Sequence, residues 1–282
     1  MENNAENNTE QKNIETDVKS KISVKLILKT IGLTLAFALF AFGYFVVTIS
    51  AVAPKAAANA FATCGFDKTS YLIYKRVYAR EKTNQNLYNV IQLSINRKNY
   101  KDMEYYINIM LSGDDFIKFS EKVDEATKNA IGEDFNTYIN SYENYLTTQY
   151  TIALYKNGKF LEAKMIAIDS LDPDSSASAL YAYTECVMND ENLLASQKTR
   201  EFRSLKNKYA CISELNARLA ELDADDTSTL SKSEQIEILE QKIRLNEILY
   251  RIGKYTEDSA MTTNSETAID DCTRAILELR SI

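Results

Sequence analysis

The sequence predicts an all-α protein that begins with a transmembrane helix and continues as a helical domain. A long run of uncharged, apolar residues lies near the N-terminus, and beyond it apolar residues recur at spacings of three and four. The chain of 282 residues contains seven Gly and two Pro, whereas an all-β domain needs many turns built from these residues. No stretch shows the sustained alternation of apolar and polar residues that is typical of a half-buried strand.

The apolar run extends from Thr30 to Pro54 and contains no charged residue. Its core, from Ile31 to Ala53, is apolar on every face of a helix, whereas a buried helix of a soluble protein is normally amphipathic. About 20 such residues, at 1.5 Å per residue, cross a hydrocarbon layer about 30 Å thick. We therefore expect residues 19–54 to form a transmembrane signal-anchor helix with a basic flank, in contact with membrane lipid through residues 30–54.

The charges beside this run predict its direction across the membrane. Only Lys55 lies close behind it, and four lysines precede it: Lys19, Lys21, Lys25 and Lys29. The positive-inside rule then places the N-terminus in the cytoplasm and the C-terminal domain outside it, in a single-pass protein of the cell membrane. A cleaved signal peptide is the alternative, with a cleavage site at residues 51–53 or 58–60, but its apolar region normally spans only about 7–15 residues.

The rest of the composition divides the chain and excludes several classes of function. Residues 1–18 are rich in Asn and Glu and are expected to form a disordered cytoplasmic tail, while residues 55–282 are long enough for a substantial helical core. The net charge is −7 and the pI about 5.0, so nucleic acid is not an expected partner. The chain contains no His, which excludes His-based acid–base catalysis, Ser-His-Asp systems and the usual zinc sites that contain His.

Four groups of apolar residues at helical spacing predict amphipathic helices in residues 55–282. They are Phe135, Tyr138, Tyr142 and Tyr145; Leu205, Tyr209, Ile212, Leu215, Leu219 and Leu222; Ile236, Leu239, Ile243 and Tyr250; and Ala268, Ile269, Cys272, Ala275, Ile276 and Leu279. The third group is joined by Ile238, Leu245 and Ile252, which predicts a helix buried on two sides. Ser231 and Glu234 have the capping-box spacing at its start, and residues 172–175 are expected to end one helix and open the next.

One sequence pattern recurs and predicts helix hairpins. Residues 154–160, Leu-Tyr-Lys-Asn-Gly-Lys-Phe, are echoed by residues 249–255, Leu-Tyr-Arg-Ile-Gly-Lys-Tyr, and a weaker copy lies at residues 98–100. The first copy continues with Ala163 and Ala167. The pattern resembles the turn and second helix of a tetratricopeptide repeat (TPR), in which Gly permits the turn and small residues let paired helices approach. The resemblance covers three hairpins; it implies a TPR-like α-solenoid, or a helical bundle with TPR-like hairpins, and protein partners.

Two groups of acidic residues have patterns that metal or acid–base chemistry uses. Residues 223–234 have the length of a calcium-binding loop, with acids at positions 1, 3 and 12, but position 6 is Ser228 where the turn requires Gly. A polar loop that ends in a capping box is therefore the preferred interpretation, and no metal site is predicted. The acid pairs at residues 114–115 and 270–271 are expected at helix starts, where carboxylates interact favourably with the helix dipole.

The four cysteines all follow the membrane segment, at Cys64, Cys186, Cys211 and Cys272. Two disulfides are conceivable, with three pairings, and none of the cysteines belongs to a CxxC motif. Because Cys211 and Cys272 lie on apolar helical stripes, small buried thiols are the preferred interpretation.

We therefore expect a membrane-anchored helical scaffold that binds a protein or peptide partner in a groove between helices. No catalytic, cofactor-binding or metal-binding residue is predicted, and no cofactor. Two alternatives stay open. An extracytoplasmic hydrolase or sugar-active helical domain would need two carboxylates about 5–10 Å apart across a cleft. A receptor-type scaffold would instead place the same domain in the cytosol, as in N-anchored organelle import receptors.

Overall fold

The computed structural model describes residues 28–41, 43–44, 47–131, 141–169, 178–208, 211–224 and 227–281. Every regular element within these ranges is a helix and none is a strand, which confirms the all-α prediction. The chain divides into two units, Met1–Val77 and Tyr78–Ile282. The tail predicted for residues 1–18 and the basic flank up to residue 27 lie outside the described residues.

The first unit consists of helix that begins in the apolar run and then reverses in a hairpin. Residues 28–41, 43–44 and 47–52 are helical, followed by α1 (Pro54–Thr63) and α2 (Asp67–Arg80), whose last three residues belong to the second unit. Ala53, with φ −132° and ψ 65°, is the N-cap of α1 and separates it from the apolar helix, while its own amide donates to the Ile49 carbonyl at 2.8 Å. At the turn between α1 and α2, Gly65 adopts a φ of 78°, a conformation that favours glycine. The Tyr74 hydroxyl then donates to Asn59 Oδ1 at 2.5 Å, which holds α2 against α1.

The apolar side chains of residues 28–52 are exposed around the helix. Ten of them are between 59% and 79% exposed: Leu28, Ile31, Leu33, Leu35, Phe37, Leu39, Phe40, Tyr44, Val47 and Val52. Residues 42, 45 and 46 lie outside the described part, so the run is described in three pieces, the longest being 28–41. Among the helices described, none combines the length and the apolar character that a membrane span requires.

The second unit is built from helix hairpins that pack on one another in chain order. Its helices are α3 (Asn84–Asn96), α4 (Tyr100–Leu111), α5 (Phe116–Ile131), α6 (Tyr142–Lys156), α7 (Phe160–Asp169), α8 (Ser178–Asn189), α9 (Ala195–Lys208), α10 (Cys211–Ala224), α11 (Lys232–Tyr255) and α12 (Ser259–Ser281). Helix α6 packs on α4, α8 packs on α6 and α7, and α11 packs on α8, α9, α10 and α12. Each hairpin therefore extends the surface of the one before it.

The main hydrophobic core of this unit lies between α6 and α11. Its largest fully buried side chains include Leu154, Tyr183, Phe202, Leu215 and Leu245, one from each of five helices. The ring of Phe202 stacks on Tyr255 with centroids 4.5 Å apart. Burial of each such side chain contributes about 1.5–3 kcal/mol, so this core accounts for the association of α6 through α11.

Three hairpin turns in the second unit share one geometry. Lys98, Gly158 and Glu257 adopt positive φ values of 52°, 81° and 60°. In each turn the next amide, of Asn99, Lys159 or Asp258, donates to a carbonyl five residues earlier at 2.9–3.0 Å, which is the Schellman arrangement. The structure thus confirms the turns predicted at residues 98–100 and at Gly158.

The predicted position of the third turn is wrong. Gly253 lies inside α11, and the chain reverses four residues later, at Glu257. The reason is packing: a Cβ atom on Gly253 would lie 2.8 Å from Thr262 Oγ1, 3.0 Å from the Thr262 amide nitrogen and 3.2 Å from the Asp258 carbonyl oxygen. Gly253 therefore permits the close approach of α11 and α12, and Glu257 takes the left-handed position.

The predicted apolar stripes agree with the structure in part. The α12 stripe is confirmed, since its six residues are half-buried or buried while their neighbours are mostly exposed. The C-terminal half of α11 is buried as expected, and the Ser231–Glu234 capping box is present. The stripe that starts at Leu205 belongs to two helices, α9 and α10, and its Tyr209 lies outside the described residues. Residues 135, 138 and 172–175 also lie outside them.

Replacement of Gly253 by Ala is expected to lower the free energy of unfolding by about 1–3 kcal/mol, the usual cost of overpacking. The added methyl group would meet backbone atoms that cannot rotate away. Urea unfolding in detergent, followed by circular dichroism, measures the change. The double variant Gly253→Ala/Thr262→Ala is compared with Thr262→Ala, because Thr262→Ala by itself loses the hydroxyl bond to the Asp258 carbonyl. In that background the cost of Gly253→Ala should be smaller but not zero, since the backbone contacts remain. Unchanged stability of Gly253→Ala would contradict the close approach.

Candidate functional site

A groove of about 640 Å³ lies between three helices of the second unit, α6, α8 and α11. Each helix contributes residues at helical spacing, so each presents one face to the groove. The lining residues are Thr148 and Ile152 from α6, Ser178, Tyr181, Ala182, Glu185 and Cys186 from α8, and Glu240, Ile243, Arg244 and Glu247 from α11. The groove thus combines apolar walls with several charged side chains, as in sites that bind peptides or small molecules.

The three helices are positioned by caps and by the core beneath the groove. Ser141 caps α6, its hydroxyl accepting from the Asn144 amide at 3.1 Å, and Asp124 Oδ1 of α5 accepts from the Tyr142 amide at 2.7 Å. Leu154 of α6 points into the core. Thr148 and Ile152 lie on the opposite face of α6 and line the groove. Helices α6, α8 and α11 each bury one face in the core, and the faces that remain at the surface form the groove.

Arg251 joins α8 to α11 at one end of the groove. Its guanidinium lies 2.6 Å from Glu185 Oε1, donates to Thr184 Oγ1 at 2.9 Å and stacks over the Tyr181 ring with 4.1 Å to the centroid. Burial raises the pKa of Tyr181, and the positive charge of Arg251 opposes that rise. Arg251 is 8% exposed, and replacing it would remove the donor from which the Thr184 hydroxyl oxygen and Glu185 Oε1 accept across the helix contact.

A second groove of about 410 Å³ continues along α11 towards α12. Its lining residues are Met188, Glu247, Tyr250, Arg251, Lys254, Tyr255, Glu266, Ile269 and Asp270. Glu247 lines both grooves, and Arg251 separates them as the clamp between α8 and α11. The two grooves together form one surface along α11, which we call the α11 surface.

Three glutamates line the first groove, but two of them are paired with cations. Glu185 is bound to Arg251, and Glu240 Oε1 lies 3.4 Å from Arg280. The acid pair at residues 114–115 directly precedes α5, as predicted. The pair at residues 270–271 lies in the middle of α12, so the prediction of a helix start there is wrong, and Asp270 lines the second groove.

The loop at residues 223–234 has its described acids engaged in structural contacts. Asp223 Oδ1 lies 2.8 Å from Lys242 Nζ, and the Glu234 carboxylate accepts from the Ser231 amide at 2.8 Å. Residues 225 and 226 lie outside the described part of the chain. Within the described part, no cluster of three acid or cysteine side chains has a geometry suited to a metal ion. The capping box accounts for Glu234, and the ion pair with Lys242 accounts for Asp223.

All four cysteines are free thiols, so the two conceivable disulfides are not formed. Cys211 is buried in the core, and burial together with the nearby Glu214 raises its pKa to about 12. Cys186 lines the first groove; burial, Glu185 and Asp190 raise its pKa, while Lys156 opposes the rise. The sequence placed Cys186 on no stripe, and its position in the groove follows only from the packing of α6, α8 and α11.

Thiol labelling is expected to follow exposure and pKa. In the folded chain at pH 8, the exposed Cys64 should react first with a maleimide, and Cys211 should react at least about 10³-fold more slowly because its thiolate is scarce and covered. Mass spectrometry of the labelled peptides measures the order. In denaturant the four rates should become similar. Equal native rates for Cys64 and Cys211 would contradict the core assignment.

No protein-family model, no curated protein and no solved structure matches this chain at a significant level.

Proposed function

We propose that this chain is a membrane-anchored helical scaffold that binds a segment of a partner protein on the α11 surface. The observation that supports it most is the contrast between the two units. In the first, apolar side chains are exposed around a helix; in the second, apolar side chains are buried and helix faces line grooves. A helix of the first kind needs lipid or another apolar surface around it, and a groove of the second kind has the shape and lining to hold a segment of another chain.

The anchor is supported by the uncharged run from Thr30 to Pro54 and by the exposure of its side chains. Ile31, Phe37 and Phe40 are 59%, 73% and 74% exposed, on different faces of the helix. Each large apolar side chain moved from water into hydrocarbon contributes about 1.5–3 kcal/mol. The lysines that precede the run favour a cytoplasmic N-terminus, which would place the helical domain outside the cytoplasm as a single-pass protein.

The scaffold role is supported by the way in which the hairpins add to one another. Helices α6, α8 and α11 each pack on an earlier element, and each leaves one face to the α11 surface. This order of packing, with the shared turns at Lys98, Gly158 and Glu257, favours a TPR-like solenoid. The clamp at Arg251 keeps the α11 surface in shape before a partner arrives, which lowers the entropic cost of binding.

The anchor predicts that the chain resists extraction from membranes. The intact protein, of 32.0 kDa, should stay in the pellet after an alkaline carbonate wash, and its mass should show that the apolar run is retained. Leu35→Asp/Leu39→Asp should release it, because each central acid costs about 2.5–3.5 kcal/mol in a membrane helix. Leu35→Phe/Leu39→Phe is the matched control and should stay in the pellet. Release of the unaltered protein would contradict the anchor, and a mass lacking the first 53 or 60 residues would indicate signal-peptide cleavage.

The α11 surface predicts a charge-sensitive partner. Glu247→Lys changes the residue common to both grooves, and we expect capture of a partner from crosslinked membranes to weaken at least about tenfold. Glu278→Lys is the matched control: it makes the same change in charge at an exposed position of α12 that lines neither groove. A bound partner should also protect Cys186 from labelling. Equal capture by all three proteins would contradict the proposed surface.

A further inference from the structure

Basic residues are concentrated in the segment that directly follows the apolar run. Residues 55–82 hold six basic and two acidic residues, whereas residues 83–282 hold 22 basic and 33 acidic ones. The segment is thus positive in a chain whose net charge is −7. A positive segment beside a bilayer is attracted to anionic headgroups, and the attraction decays within a Debye length of about 8 Å.

The exposed face of α2 carries two of these six charges. Lys68, Leu72 and Arg76 are spaced by four residues, so they lie on one face, and all three are exposed. The opposite face is buried through Tyr71, Tyr74 and other residues of α2. Leu72 is 49% exposed, and Phe66, just before the helix, is 60% exposed. The exposed face therefore combines positive charge with apolar side chains and contains no acid between residues 68 and 80.

The hairpin of α1 and α2 brings this face back towards the end of the apolar run. The hydrogen bond from Tyr74 to Asn59 shows that α2 reverses along α1. Asn59 is five residues beyond Pro54, a rise of about 7 Å along a helix. The part of α2 beyond Tyr74, which includes Arg76, therefore lies at about the Debye distance from the end of the membrane segment or nearer. Lys68 and Phe66 lie about 12–15 Å further along α2, so the whole face reaches the headgroups only when α2 lies along the bilayer surface. The non-helical Ala53, with φ −132° and ψ 65°, permits the bend between the apolar helix and α1 that this requires.

We propose that the exposed face of α2, formed by Lys68, Leu72 and Arg76 together with Phe66, rests on anionic lipid headgroups of the bilayer that holds the anchor. The inference rests on the proposed membrane anchor. Lys68 and Arg76 contact lipid phosphates, and Leu72 and Phe66 enter the boundary between headgroups and acyl chains, as the apolar face of an interfacial helix does. This contact fixes the orientation of the α1–α2 hairpin on the bilayer surface, whereas the anchor alone would leave the hairpin free to reorient.

A single tryptophan tests this contact in the full-length chain. The protein contains no Trp, so Leu72→Trp introduces a unique fluorophore at an exposed position. The variant is reconstituted in vesicles of phosphatidylcholine, and in vesicles in which phosphatidylglycerol replaces a third of the lipid. Quenching by brominated lipid should be strong in the anionic vesicles and weak in the neutral ones. Addition of Lys68→Gln and Arg76→Gln should weaken binding of the α2 face to anionic lipid by about 30-fold. The difference in quenching between anionic and neutral vesicles should then disappear.

The matched control is Leu277→Trp, which places the fluorophore at a position of α12 that is 62% exposed. It should show no dependence on anionic lipid. Equal quenching of Trp at position 72 in both vesicles, in protein that floats with both, would overturn this inference and leave the anchor intact. Quenching that survives Lys68→Gln and Arg76→Gln, or that is matched at position 277, would overturn it as well. Failure of the chain to float with either vesicle would overturn the anchor and the inference together.

Discussion

The second unit depends on the burial of the C-terminal half of α11. Leu245, Ile248, Leu249 and Ile252 are each at most 5% exposed, and α11 contacts α8, α9, α10 and α12. Helix α8 also contacts four neighbours, α6, α7, α9 and α11, so α8 and α11 together join the earlier hairpins to α9, α10 and α12. Gly253 adds to this constraint because the absence of a side chain lets α12 lie directly against α11.

Two networks of polar contacts cross the core and constrain the register between its helices. Lys164 Nζ of α7 and the Tyr183 hydroxyl of α8 both lie 3.1 Å from Glu201 Oε2 of α9. Arg251 makes the corresponding contact between α8 and α11. Apolar burial is less directional than a hydrogen bond, whereas a buried ion left without its partner costs several kcal/mol. We therefore attribute the association of the helices to the core and their register to these two networks.

The two units meet opposite physical demands. The helix of residues 28–52 exposes apolar side chains and has no core of its own, while the grooves of the second unit expose charged and polar side chains over buried Leu and Ile. If this helix lies in lipid, as we propose, its apolar side chains are removed from water without any protein contact. Helix α2, which follows the run in the chain, has one buried face and one basic face, and this combination is the basis of the lipid contact that we propose.

The sequence by itself determined the secondary-structure class, the apolar run, two hairpin turns, the α12 stripe and the capping box at Ser231. These are local properties, because apolar spacing, Gly and capping side chains act within a few residues of one another. Tertiary structure alone decided that Gly253 serves a helix contact and that Glu257 forms the turn. It also decided that the residues following Leu205 belong to two helices. Only tertiary structure brings Cys186, Glu247 and Arg251 together in one surface. Those outcomes depend on contacts between residues far apart in the chain, such as Thr184 with Arg251, and a single sequence contains no record of which helix faces come together.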